Sequence, residues 1–371
     1  MHKYTLTLVF LIGSTAAFAG VTVSSPSNNS SVSSPVSFVA HATTSCSKGV
    51  AAMGIYTAPG VLAYKINGAS LSTSLSLGAG TYNTVVQDWD NCGGYAKAYV
   101  TITVKSGTTT SVPRSSHVFL LVEENHRYSD VIGNASMPYL NSLANKYGLA
   151  TQYYANTHPS IGNYLMLTAG QIITNNDSFC GTLSNDNIVR HLLTAGKTWK
   201  AYAESLPGAG YTGCDVYPYA KRHNPLSYFT DVANSSEKWN LVPFTQFHND
   251  LINNHLPQFS FIVPNLLHDA HDGSLSAADS WLKSNIAPLI ASAVFQKDGI
   301  LVIVFDEAED TDTQMGGGHV AAVVIGPKVK GGYKSSITYQ HQSTLKMLME
   351  AMGLTSFPGA ASKTSDMRDL Y

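Results

Sequence analysis

Charge is what this chain has least of. Only 12% of its 371 residues are Asp, Glu, Lys or Arg, and 22 cations stand against 24 anions, for a net charge of −2. No cationic stripe is available to neutralise a phosphate backbone, which excludes nucleic acid as the main partner. Cysteine is scarce too: there are four, at Cys46, Cys92, Cys180 and Cys214, with no CxxC and no Cys/His spacing of the zinc-binding kind. Beyond the first residues there is no run of about 18 apolar residues, the length a spanning helix requires.

What is present begins with an export signal. Lys3 supplies a positive n-region, Leu6–Ile12 a short apolar stretch, and Ala17-Phe18-Ala19 a small-x-small cleavage site, so residues 1–19 read as a signal peptide and the mature chain starts near Gly20. The expectation is a soluble, exported protein, periplasmic or extracellular. An even cysteine count in such a compartment favours disulfides. The spacing pairs Cys46 with Cys92 and Cys180 with Cys214, one bridge on each side of residue 110.

Residues 20–105 carry short period-2 segments. Val21–Val23, Val36–Ala40, Leu62–Ile66, Tyr82–Gln87 and Tyr99–Val104 are expected strands, separated by polar, turn-rich sequence. With a cysteine pair and Trp89 nearby, this predicts a small all-β, immunoglobulin-like sandwich. Nothing in it looks catalytic, and a spacer or surface-binding role is favoured. Residues 106–116 read as a Gly/Ser/Thr/Pro linker.

From His117 the pattern changes. Val118–Val122, Phe259–Val263, Ile300–Phe305 and Val320–Ile325 are continuous apolar runs, the mark of strands buried on both faces. Leu149–Tyr154 and Trp199–Ala203 add two more strands. Helices are expected at Pro138–Tyr147, from Ser160 to a C-cap at Gly170 after a turn at Thr157–Pro159, at Asn187–Ala195, at Ser276–Phe295 (bent or interrupted near Pro288) and at Ser343–Met352. The alternation predicts an α/β domain over 117–371: a largely parallel sheet with helices on both faces. Ligands bind such sheets beyond the carboxyl ends of the strands. Glu124-Asn125, the His268–Asp272 loop and Asp306-Glu307 all follow buried strands, and Ser160 enters from the same rim.

Clustered carboxylates repel unless a cation lies between them. Glu124, Asn125, Asp306 and Glu307 form an oxygen-rich set for a divalent ion: Ca or Mg if oxygen alone ligates, Zn, Mn or Fe if His271 or His319 joins. Ser160 starts a helix, where free N–H groups and the dipole favour an anion. Beside a metal its hydroxyl becomes a nucleophile, with Asn163 and nearby histidines holding phosphoryl oxygens and a histidine protonating the leaving group. Each element has a plainer reading. Ser160 also suits a helix cap, and strand-end acids are also ordinary loop residues. His268 also fits a packing role, and His341 fits helix capping. Thr157 and His158 are read as residues that shape the turn. His271 is placed beside Asp272, which fixes its tautomer. His319 follows Gly316–Gly318, which permit close backbone approach. Lys221–Pro225 is a basic turn, able to meet phosphate or to remain a solvated loop.

Six segments taken together resemble the bacterial phosphoesterase family of secreted acid phosphatases and phospholipases C, within the alkaline phosphatase-like superfamily. They are EENHRYSDVIG (Glu123–Gly133), THPSIGNYLMLTAG (Thr157–Gly170), KRHNP (Lys221–Pro225), VPNLLHDAHDGS (Val263–Ser274), VFDEAED (Val304–Asp310) and HQSTLKMLMEAMGL (His341–Leu354). The resemblance implies a metal on Glu124, Asn125, Asp306 and Glu307, and a transiently phosphorylated Ser160 with Asn163 on the phosphate. It also implies a pocket lined by His223, His271 and His319, with Lys221 and Asp272 nearby. Family members often carry Pro where Gly162 stands, and another residue at His268. The expected activity is hydrolysis of phosphate mono- or diesters. Two alternatives are a phospholipase C, which would contact a membrane through Tyr211, Tyr217 and Tyr219, and a non-catalytic surface-binding protein.

Overall fold

A computed structural model describes residues 20–34, 36–75, 77, 80–105 and 111–371. The signal-peptide expectation for 1–19 and the linker expectation for 106–110 lie outside them. The chain forms two compact units, Met1–Thr108 and Thr109–Tyr371.

The first unit is built from β1 (Gly20–Ser25), β2 (Ser30–Val32), β3 (Val36–Thr43), β4 (Val50–Ala58), β5 (Val61–Asn67), β6 (Ser70–Leu75), β7 (Gly80–Asp90) and β8 (Lys97–Val104). One sheet has the order β1-β3-β6, the other β2-β8-β7-β4-β5. In β3, Val36, Phe38, Ala40 and Ala42 point inward while their neighbours face solvent, as period-2 alternation dictates. Their core partners come from the other sheet: Met53, Ile55, Val86, Val100 and Ile102. β4 and β6 escape a pattern search, because alanine, glycine and serine dilute their alternation. Cys46 is bonded to Cys92. Trp89 is outside this core; its ring meets Tyr56 at 6.4 Å and lies under Lys65.

The second unit has one sheet: β9 (Val118–Glu123), β10 (Gly148–Tyr154), β11 (Trp199–Ala203), β12 (Leu241–Pro243), β13 (Phe259–Val263), β14 (Ile300–Phe305), β15 (Ala322–Ile325) and β16 (Lys334–Gln340). The order is β12-β11-β13-β9-β14-β15-β10-β16. Every pairing is parallel except those of β15, which runs antiparallel to both β14 and β10. The reason lies in the connection. No crossover helix separates β14 from β15, so the chain turns back instead of crossing the sheet. The reversal puts the start of β15 on the rim where β9, β10, β13 and β14 end.

The helices are α1 (Tyr128–Val131), α2 (Pro138–Lys146), α3 (Ser160–Ala169), α4 (Ile188–Thr194), α5 (Thr230–Ala233), α6 (Thr245–Ile252), α7 (Leu275–Ala291), α8 (Ala293–Asp298) and α9 (His341–Ala351). α2 packs with α7 on one face of the sheet and α3 with α9 on the other. Pro288 sits inside α7 without ending it. The break comes at Ser292, whose hydroxyl accepts from the Phe295 N–H and starts α8. Cys180 is bonded to Cys214. Among the described residues no helix is long and apolar enough to cross a membrane.

Candidate active site

α3 starts the site. Pro159 occupies its N-cap position and no side chain caps it. Ser160 is therefore the first helical residue, with its hydroxyl free for other partners. That hydroxyl is buried between two carboxylates, 3.1 Å from Glu124 Oε2 and 3.0 Å from Glu307 Oε1. Glu124 follows β9, and Asp306 and Glu307 follow the adjacent parallel strand β14, so the sheet register sets them side by side. Asn125 takes a left-handed backbone (φ 54°), and its N–H donates to Asp306 Oδ1 at 3.2 Å.

The electrostatics are those of crowded acids. Burial pushes the Glu124 carboxyl well above its usual range, and Asp306, Asp269 and Glu307 push it further. Asp306 is raised by burial and by Glu307. Glu307 is raised to about 8, chiefly by burial. Asp306 Oδ2 is buried with no hydrogen-bond partner. Three carboxylates and an amide around one hydroxyl, with an orphaned oxygen among them, fit a hard divalent cation.

A histidine pair stands beside this set. His223 is buried, with Nδ1 3.0 Å from Asp269 Oδ2 and Nε2 3.1 Å from Glu124 Oε1. Burial holds it well below the usual histidine range, with Arg222 adding to the effect. Asp269 is raised to about 7, mainly by burial. The Tyr164 ring stacks on His223 at 5.0 Å while its hydroxyl donates to Glu124 Oε1 at 2.6 Å. His271 lines a cavity of about 380 Å³ with Asn125, Ser160, Asp177 and Glu307. Its Nδ1 lies 2.7 Å from Asp272 Oδ1, and its Nε2 faces Arg222 Nη2 at 3.4 Å. Asp272 thus meets the imidazole, and the arrangement places Nδ1–H toward the carboxylate with a lone pair at Nε2.

Three expected site residues lie elsewhere. Asn163, expected on the phosphate, closes its own turn: Oδ1 accepts from the Asn156 and Thr157 N–H groups, and Nδ2 donates to the Thr157 carbonyl. His319 lines a different cavity of about 390 Å³ with Arg127, Tyr128 and Asp312. It stacks on Tyr128 at 4.5 Å and on Tyr154 at 4.9 Å, and its Nε2 meets the Thr151 carbonyl. Lys221 is buried, donating to the carbonyls of Cys180 and Thr212 over the Tyr228 ring. It ties together the two loops that the Cys180–Cys214 bridge joins. The aromatic patch proposed for membrane contact is reduced to Tyr217, because Tyr219 is buried and Tyr211 packs edge-on against it.

Six contributors carry little or no signal in the sequence. Arg222, not Lys221, reaches two residues that line the cavity, His271 and Asp177, because successive residues of the 3₁₀ turn Lys221–His223 point about 120° apart. Tyr164 carries no signal of its own in sequence, although its place one turn after Ser160 puts it on the same helix face. Asp177 and Asp269 carried no pattern. His158, read as a shaping residue, bonds Glu307 Oε2 through Nδ1 (2.7 Å) and the Asp312 carbonyl through Nε2 (2.9 Å). His341 points its Nε2 at the Asp306 carbonyl, steadying that strand end.

Comparison with known proteins adds the following. The model of the phosphoesterase family matches residues 134–355, a span that contains Ser160, Asp306 and Glu307 but begins after Glu124 and Asn125. A phosphatidylinositol-3-phosphatase of Mycobacterium tuberculosis is 33% identical over 264 residues, 71% of this chain and 85% of that protein. A probable acid phosphatase of Kluyveromyces lactis is 34% identical, over 61% of this chain and 56% of its own length. An acid phosphatase of Aspergillus fumigatus is 32% identical, over 63% and 54%. The chain therefore spans about half the length of these two fungal relatives. Among solved structures, an alkaline phosphatase superfamily protein of Vibrio parahaemolyticus aligns with a TM-score of 0.49 at 12% identity, over 70% of this chain and 74% of that one.

Proposed function

The chain belongs to the phosphoesterase family and is a phosphoric ester hydrolase; on that premise we propose that it is an exported, metal-dependent phosphomonoesterase working through a phosphoserine at Ser160. The observation that carries this reading is the Ser160 hydroxyl, buried at the first position of α3 between Glu124 and Glu307. A structural serine has no need of two carboxylates. The activities of the relatives, a phosphatidylinositol-3-phosphatase and acid phosphatases, favour monoesters. The two disulfides support export. The two-sheet fold of the described residues of 20–105 supports an immunoglobulin-like module ahead of the catalytic domain.

Glu124, Asn125, Asp306 and Glu307 would hold the divalent cation, which when bound supplies positive charge against the serine oxygen and the phosphoryl group. The chain's own groups do the rest. Ser160 Oγ gives its proton to a flanking carboxylate and attacks phosphorus. The bond from phosphorus to the leaving oxygen breaks, and that oxygen takes the proton from the carboxylate. Water then attacks the phosphoserine and gives a proton to His271 Nε2, and Asp272, 2.7 Å from Nδ1, stabilises the charged ring. The P–Oγ bond breaks, Ser160 takes the proton from His271, and inorganic phosphate leaves. Tyr164, stacked on His223 and donating to Glu124 Oε1, holds Glu124 in place.

Ser160→Ala with p-nitrophenyl phosphate tests the reading. Turnover is expected to fall roughly a thousandfold or more, and acid-quenched wild type should yield a phosphorylated peptide containing Ser160. Dialysis against chelator should abolish activity, and single divalent ions should restore it. Undiminished turnover in the alanine variant would overturn the mechanism.

A further inference from the structure

The donors that would bind a phosphoryl group at Ser160 are already engaged, and one side chain engages both kinds. Asp177 Oδ1 accepts from the Ile161 N–H, the first amide after Ser160, at 3.1 Å. Its Oδ2 lies 3.7 Å from Arg222 Nε, an atom that is buried without a hydrogen-bond partner. A carboxylate presents two oxygens, as one edge of a phosphoryl group does. Here it faces a helix N-terminus and a guanidinium, the pair of donors a phosphate seeks.

The position does not require a negative charge for folding. The segment carrying Asp177 is fastened by the Cys180–Cys214 bond, by Lys221 Nζ on the Cys180 carbonyl, and by Asn175 Nδ2 on Thr157 Oγ1. The charge is in fact unfavourable locally, because Asp177 lines the same cavity as Glu307 and adds to the field of acids there. Arg222 does not depend on it either, since Asp215 Oδ2 lies 3.0 Å from its Nη1. The Asp177 side chain is 34% exposed, so it can swing into solvent without crossing packed structure.

We propose that Asp177 is a built-in stand-in for phosphate: it occupies the Ile161 amide and the face of Arg222 in the free enzyme, yields them to the phosphoryl group, and competes with the product for them. This rests on the phosphoesterase reading of Ser160. Asp177 is thereby a specificity and release residue. It favours ligands that bring enough charge to displace it, and it hastens departure of inorganic phosphate.

The test is Asp177→Asn in the metal-loaded full chain, since asparagine keeps the acceptor for Ile161 and loses the charge. Inorganic phosphate, as a competitive inhibitor of p-nitrophenyl phosphate hydrolysis and by calorimetry, should bind roughly tenfold more tightly, the size of a nearby like charge removed. KM should fall in parallel. Asp177→Glu, which restores the charge, should return the inhibition constant toward wild type, and Asp177→Ala serves if the asparagine variant folds poorly. An active wild type whose uncharged variants bind phosphate no tighter, or more weakly, overturns this proposal alone. A wild type that neither turns over the ester nor binds phosphate overturns the underlying assignment and this proposal with it.

Discussion

Asn163 and Ser160 sit one turn apart, yet the structure gives them opposite work. Ser160 sends its only polar atom into the carboxylate cluster, while Asn163 directs oxygen and nitrogen back onto residues 156 and 157. Asn163→Ala would leave two half-buried amides and a carbonyl without partners, a loss of about 2 kcal/mol. Asn163→Asp keeps both acceptances and should retain more stability in urea denaturation. A phosphate-binding role predicts the reverse pattern: stability unchanged in either variant and KM raised, most for aspartate. That Ser160, Glu124, Asp306 and Glu307 meet was legible because each stands at the end of a buried strand or the start of a helix, which fixes its direction. The contacts of Asn163, Lys221 and His319 were not legible, because an amide, a buried ammonium and a stacked imidazole look the same in sequence whether they face a ligand or a backbone carbonyl.

Elements were legible wherever burial was extreme. β9, β13 and β14 are continuous apolar runs, and parallel neighbours must be such runs. Direction was not legible, because a doubly buried strand reads alike both ways; only the helix-free connection from β14 to β15 forces the reversal. That connection is itself a device. It presses Gly316 and Gly317 against Asn156 and Thr157, with the Ala155 N–H donating to the Gly318 carbonyl and the Gly317 N–H to the Ala155 carbonyl. The contact brings Glu307 against His158. A Cβ at Gly317 would fall 2.4 Å from the Thr157 carbonyl oxygen, which is backbone and cannot give way. Gly317→Ala should therefore cost 1–3 kcal/mol or more and reduce turnover, as the strap lifts Glu307 from Ser160. Gly331→Ala is the matched control. Its Cβ would meet the Lys146 carbonyl oxygen at 3.5 Å, an ordinary contact, and its melting temperature should stay near wild type. Equal effects from the two substitutions would remove the strap from the account.

For the molecule as a whole, the shift from period-2 segments to continuous apolar runs marks two architectures, and the chain forms two units. What composition cannot convey is how few charges govern stability once they are buried. The site acids all move the same way, but a bound cation changes their balance, so a carboxyl remote from them is the cleaner probe. Glu350, on α9, is raised from 4.5 to about 7, first by burial and then by its hydrogen bond with Asp366. The folded chain keeps this proton up to about pH 7, whereas the unfolded chain releases it near 4.5. Its stabilisation is therefore complete below about pH 4.5 and is lost as pH rises through about 7. Glu350→Gln carries a donor at every pH and cannot ionise. Urea midpoints of wild type should fall relative to this variant between pH 5 and 8, with the difference levelling above. The site acids are common to both proteins and cancel in that difference. Parallel curves would mean that Glu350 ionises alike in the folded and unfolded chains, and that its burial against Asp366 does not hold in solution.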